Sequence, residues 1–91
     1  MDYDKEKVDE LVLALMWLVT HGDKYGVRVW KGFDWDTLDR LHEKGLISDP
    51  KSKAKSVALS DKAVKLSESL FKKHFGTAER RRRETREKNK G

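Results

Sequence analysis

The stretch SDPKSKAKS, Ser48 to Ser56, places lysines at alternate positions, Lys51, Lys53 and Lys55, between two short apolar runs. Lysine is a compact cation on a flexible stem, so three on one turn suit phosphate oxygens and read no bases. The same composition also makes a well-solvated turn, and residue type alone leaves both readings open. Lys62 and Lys65, then Lys72 and Lys73, continue the positive sign along the chain. The densest charge is the run Arg80, Arg81, Arg82 and Arg83, which with Arg86, Lys88 and Lys90 sets seven cations against three acids. Such a segment raises nucleic-acid affinity without base preference, or serves as a solvated or protein-docking tail.

Other chemistries find less support. There is no cysteine, which removes disulfides, thiolate nucleophiles and sulfur-ligated metals. His21, His42 and His74 fall near predicted helix C-termini, where an imidazolium is stabilised by the helix dipole. Asp34, Asp36 and Asp39 cluster, but capping and first-turn acidity account for them without a metal. No nucleophile–base spacing, glycine-rich phosphate loop or zinc-binding helix motif is present. The chain is therefore expected to be non-enzymatic, with no cofactor, no metal and no small-molecule substrate. Among the tryptophans, Trp17 suits a core. Trp30 and Trp35 bracket a strand-to-helix turn, where they either cluster with Phe33, stack on bases or meet a protein.

Periodicity predicts the elements that position these residues. Residues 4–20 read as a helix, with an acidic start at Asp4 and Val8, Leu11, Leu15, Leu18 and Val19 at helical spacing. Leu13, Met16 and Trp17 lie outside that stripe, so the helix is either covered by its own strands or shares a second face with another copy in a homodimer. His21-Gly22-Asp23 breaks the helix, and alternation of Tyr25, Val27 and Val29 with Arg28 and Trp30 predicts a strand. In FDWDTLDRLHEKGL, Asp34 is a helix cap, Phe33 and Leu38 form a hydrophobic staple, and Gly45 with Leu46 predicts a Schellman end. Leu46-Ile47 and Val57-Ala58-Leu59 read as hairpin arms around the lysine stretch, with Pro50 in the connection or at an edge. Ser60 caps a last helix that offers Val64, Leu70, Phe71 and Phe75 to the core and ends at Gly76. Residues 1–76 are thus expected to form one α+β domain. Residues 77–91 form a basic tail, disordered or held in a marginal helix by opposite charges four apart.

The charge is divided along the chain. Residues 1–50 hold 7 Lys or Arg against 11 Asp or Glu, and residues 51–91 hold 14 against 5. An anionic partner is expected for the second half only: nucleic acid, an anionic membrane surface or an acidic protein. The start MDYDKEKVDE is acidic where a secretory signal is basic. The longest apolar run, Leu11 to Val19, falls well short of the roughly 20 residues of a membrane span. Neither export nor insertion is expected, and the cytoplasm is the expected compartment.

The run LDRLHEKGLISDPKSKAKSVALSDKAVKLSESL resembles bacterial winged-helix regulators, in which a helix ends in a Gly-Leu-Ile turn, a basic wing follows and a Leu-Ser cap opens the last helix. That resemblance implies a winged-helix-like α+β fold and DNA binding. Two features depart from it. Gly22 to Asp34 leave no room for the helix that normally precedes the recognition helix. The helix in the recognition position carries Asp34, Asp36, Asp39 and Glu43 against Arg40 and Lys44, a sign that phosphates repel. Through MDYDKEKVDE, WKGFDWDTLDRLHEKG and ISDPKSKAKSV, the chain also resembles a family of small uncharacterised bacterial proteins, which implies no function. Two roles are expected. In one, nucleic-acid phosphates meet Lys51, Lys53, Lys55, Lys62, Lys65 and Arg80 to Arg83. In the other, the chain is a dimeric protein-interaction module that binds no nucleic acid, with Leu13, Met16 and Trp17 at the interface.

Overall fold

The computed structural model describes residues 1–23 and 26–77, so Tyr25 and Arg80 to Arg83 lie outside the described residues. Three helices, α1 (Lys5–Leu18), α2 (Trp35–Glu43) and α3 (Asp61–Phe75), accompany three strands, β1 (His21–Asp23), β2 (Gly26–Trp30) and β3 (Ser56–Ala58). The architecture is α+β. The sheet is antiparallel throughout, in the order β1-β2-β3.

Each helix begins where a short polar side chain can take an orphan amide. Asp4 accepts the Lys7 N–H at 3.0 Å, Asp34 accepts the Thr37 N–H at 3.1 Å, and Ser60 Oγ accepts the Ala63 N–H at 3.1 Å. The end of α2 is the expected Schellman motif. Gly45, at φ 75°, donates to the His42 carbonyl at 2.9 Å, and Leu46 donates to the Leu41 carbonyl at 3.0 Å. Gly76 ends α3 differently, in extended rather than left-handed backbone (φ −68°, ψ 144°). A Cβ there would stand 2.5 Å from the Lys72 carbonyl oxygen, so close approach is what calls for glycine.

Two strand expectations change. His21-Gly22-Asp23 is not only a helix breaker. It is β1, pairing His21 with Arg28 and Gly22 with Val27. Its evidence is backbone pairing, which three residues without apolar alternation do not announce. The hairpin expected between residues 46–47 and 57–59 is reduced to one bridge, Ile47 with Leu59, and the main partner of β3 is β2. Beyond the bridge, Ser48 N–H donates to the Ala58 carbonyl and Ser48 Oγ accepts the Ala58 N–H, both at 2.9 Å. A side-chain hydroxyl thus replaces a backbone acceptor, and the ladder stops there.

Val29 and Val57 point into one apolar cluster with Leu13 and Met16 of α1, Leu38 and Leu41 of α2, Ile47 and Leu59 of the bridge, and Leu70 of α3. The helices therefore cover one face of the sheet. On α1 the two stripes exchange their expected roles. Leu13 (2 % exposed) and Met16 (0 %) are core residues of a single chain, while Leu15, Leu18 (66 %) and Val19 face outward. The residues expected at a dimer interface are thus interior, apart from the half-buried Trp17. The cause is a polar residue in the same row: Asp9, four before Leu13 and seven before Met16, is anchored to α2. Phe75, offered to the core by its spacing, is exposed. No helix among the described residues is long and apolar enough to cross a membrane.

Candidate functional site

The lysine stretch is a built turn. Pro50 is fully buried, Asp49 accepts the Lys51 N–H on its carboxylate at 2.9 Å, and the Ser52 N–H donates to the Asp49 carbonyl at 3.2 Å. From the neighbouring strand end, Lys31 N–H donates to the Lys55 carbonyl at 3.1 Å and Lys31 Nζ to the Ser52 carbonyl at 2.7 Å. Lys51, Lys53 and Lys55 are all exposed. Among the described residues none of them forms an ion pair, and neither do Lys62 and Lys65.

The sheet adds groups to this turn that spacing did not reveal. Strand side chains alternate between faces, so with Val29 in the core, Arg28 and Trp30 share the solvent side. Arg28 donates from Nε to Ser56 Oγ at 2.7 Å and from Nη2 to the Ser56 carbonyl at 2.9 Å. These bonds fix the guanidinium beside the first residue of β3 and leave it donors to spare. Trp30 is 59 % exposed and meets the His21 ring at a centroid distance of 5.4 Å, tilted by 30°. The expected cluster of Trp30 with Trp35 and Phe33 does not form. Phe33 packs on the core, and Trp35 is exposed on α2. His21 accordingly sits in a strand, whereas His42 and His74 do lie in last helical turns.

One end of the molecule thus gathers Arg28, Lys31, Lys51, Lys53 and Lys55 around a turn and an open indole. The first turn of α3, with Lys62, follows the opposite end of β3, so the structure does not join Lys62 and Lys65 to that group. The only means of predicting the grouping from sequence was the β2–β3 register, which links residues 28 positions apart.

The carboxylates of α1 are engaged elsewhere. Asp9, 3 % exposed, receives Arg40 Nε at 2.8 and 3.0 Å, Arg40 Nη2 at 2.7 Å and Lys44 Nζ at 2.8 Å. Lys44 also reaches Glu6 at 2.8 Å, and Arg40 bonds Thr37 Oγ1 at 3.1 Å. Hydrogen bonds to Asp9, then to Glu6, raise the Lys44 ammonium above its ordinary range, and the Asp9 carboxylate likewise raises Arg40. Glu10 accepts from His74 Nε2 at 3.1 Å and lies 3.8 Å from Lys73. Desolvation pushes the Glu10 carboxyl up, but Lys73, His74 and Lys7 together outweigh it and hold the group below its usual value. Arg40 and the C-cap Lys44 therefore turn toward α1, leaving Trp35, Asp36 and Glu43 on the exposed side of α2. A groove of about 430 Å³ lies over this cluster, floored by Leu13, Leu41, Leu46 and Leu70 and edged by Glu6 and Lys44. Its charged edge is already paired.

No solved structure matches the chain. An uncharacterised protein, y4hR, from Sinorhizobium fredii (strain NBRC 101917 / NGR234) is 51 % identical over 75 residues, covering 82 % of this chain and 97 % of that protein. The matched family model spans residues 4–77, from the Asp4 cap through the lysine turn to the residue after Gly76, and so includes every element described above. The chain belongs to the bacterial family described as Domain of unknown function, DUF6429.

Proposed function

We propose that this protein associates with nucleic acid through phosphate contacts made by the lysine turn, with Arg80 to Arg83 adding charge from the C-terminal segment. One observation carries the reading. Among the described residues Lys51, Lys53 and Lys55 form no ion pair, on a turn anchored by Pro50, Asp49 and Lys31, while Arg40 of α2 and Lys44 just after it are paired with Asp9 and Glu6. The fold we infer is a reduced winged helix. In support, β3 lies between β2 and the arm at Ile47, so residues 49–55 take the place of a wing and α2 that of a recognition helix. The exposed acids of α2 favour the wing as the contact. The test is binding to a mixed-sequence duplex and to single strands across a salt series. Each neutralised phosphate contributes about 0.9 to the log–log slope on B-DNA and about 0.7 on single strands, so changing the three lysines to Gln flattens it by up to about 2–3 units. Absence of binding to either form at ~50 mM salt removes the reading.

A second reading, self-association, is favoured by the outward stripe of α1. Half-buried Val8 and Leu11 and exposed Leu15 and Leu18 recur at intervals of three and four, the spacing of a helix–helix seam, and exposed Val19 widens it. A second copy of the same stripe is its natural complement, because a two-fold interface is self-complementary. The face differs from the one expected from sequence. Light scattering at micromolar concentration is expected to give a dimer mass that Leu15→Gln with Leu18→Gln returns to the monomer. A monomer mass for the unchanged protein removes this reading.

A further inference from the structure

Resting on the phosphate-contact reading, we infer that the solvent face of the sheet is a stacking site for single-stranded nucleic acid, with Trp30 as the platform. An indole in a soluble domain is ordinarily covered, and this one is 59 % exposed. It is also held in place. Trp30 lies opposite Ser56 in the β2–β3 register, and His21, whose register partner is Arg28, rests against its ring as a diagonal cross-strand neighbour. A ring oriented this way offers a base a flat apolar surface at little cost in side-chain entropy.

The charges around it fit one kind of occupant. Arg28 is two residues away on the same face, with a guanidinium fixed by Ser56 and no carboxylate partner among the described residues. Lys31 follows Trp30 directly and is tied to the lysine turn through Ser52. The one acid of the turn, Asp49, is occupied by the Lys51 N–H. A polyanion carrying unpaired bases satisfies both features, since its phosphates meet Arg28, Lys31 and the turn while a base lies on Trp30. In a duplex the bases are stacked on one another and present only edges, so the indole gains nothing there. An apolar protein partner would leave five unpaired cations at its rim.

Fluorescence anisotropy with labelled oligothymidylate, oligouridylate and a mixed duplex tests the assignment at low salt. Both single strands are expected to bind more tightly than the duplex, and the tighter of the two distinguishes DNA from RNA. Trp30→Ala is expected to weaken single-strand binding roughly 5- to 150-fold, the range for losing one base–aromatic stack. Duplex affinity and the salt slope stay unchanged, because no phosphate contact is removed. A protein carrying Trp17→Phe and Trp35→Phe keeps Trp30 as its one indole and gives an independent readout that does not depend on how the Ala variant folds. Its emission is expected to be quenched at saturation by oligothymidylate. Equal loss of single-strand and duplex binding in Trp30→Ala, or unquenched Trp30 emission at saturation, overturns the stacking site and leaves the phosphate reading intact. Failure of all three probes to bind overturns the phosphate reading itself.

Discussion

Asp9 is the residue whose chemistry organises the helical half of the molecule. It is almost without exposed surface, yet its two oxygens receive Arg40 and Lys44, and Arg40 is held in turn by Thr37. A buried carboxylate is tolerated only when such partners replace its hydration. Changing Asp9 to Asn keeps the volume and removes the charge. The expected loss is about 3 kcal/mol, the low end for a broken buried pair, because Arg40 and Lys44 keep part of their contact with water. Urea unfolding checks it: the midpoint falls, and the slope stays constant if the native state keeps its compactness. A loss below about 1 kcal/mol would place the pair with ordinary surface ion pairs. Nothing in the spacing of apolar residues marks Asp9 as interior. It was legible only as one more acid near the start of an acidic helix.

At the scale of elements, what was local was readable. Asp4, Asp34, Ser60 and the Gly45-Leu46 pair fix helix ends through bonds spanning three to five residues, and each helix begins or ends where those residues predict. What depends on distant partners was not. The rotation of α1 is set by Arg40, 31 positions from Asp9, and so Leu15, Leu18 and Val19 of the expected stripe face water while Leu13 and Met16 are interior. Likewise β1 exists only because β2 offers it hydrogen bonds. The lysine turn was legible as a basic stretch between two apolar runs. Its company of Arg28, Lys31 and Trp30 was not, because that grouping follows from strand register. The acidity of α2 was visible in sequence, and the structure sharpens it by pairing Arg40 and Lys44 with carboxylates of α1. Changing Asp36 and Asp39 to Asn is therefore expected to leave nucleic-acid affinity unchanged or to raise it by up to several-fold, as measured by anisotropy on the duplex. A loss of affinity in a folded variant would mean that α2 itself meets the bases.

Across the described residues, ion pairing is divided in space. The carboxylates of α1 hold Arg40 and Lys44 at the end of α2 and Lys73 and His74 at the end of α3. At the sheet end Arg28 and Lys31 bond a hydroxyl and backbone carbonyls instead, and among the described residues no carboxylate pairs with them or with Lys51, Lys53 and Lys55. Net charge alone, +5 over the chain, would describe a uniformly cationic body. Among the described residues, pairing leaves a group of cations without carboxylate partners at the sheet end, while Glu6, Asp9 and Glu10 are matched by bases on the helical side. In the field of a polyanion the cations of the sheet end would be drawn forward before any atom touches. At 0.1 M salt that field extends only about 10 Å. The pull therefore acts over a distance shorter than the molecule itself, and the turn that would meet it is already anchored by Pro50, Asp49 and Lys31.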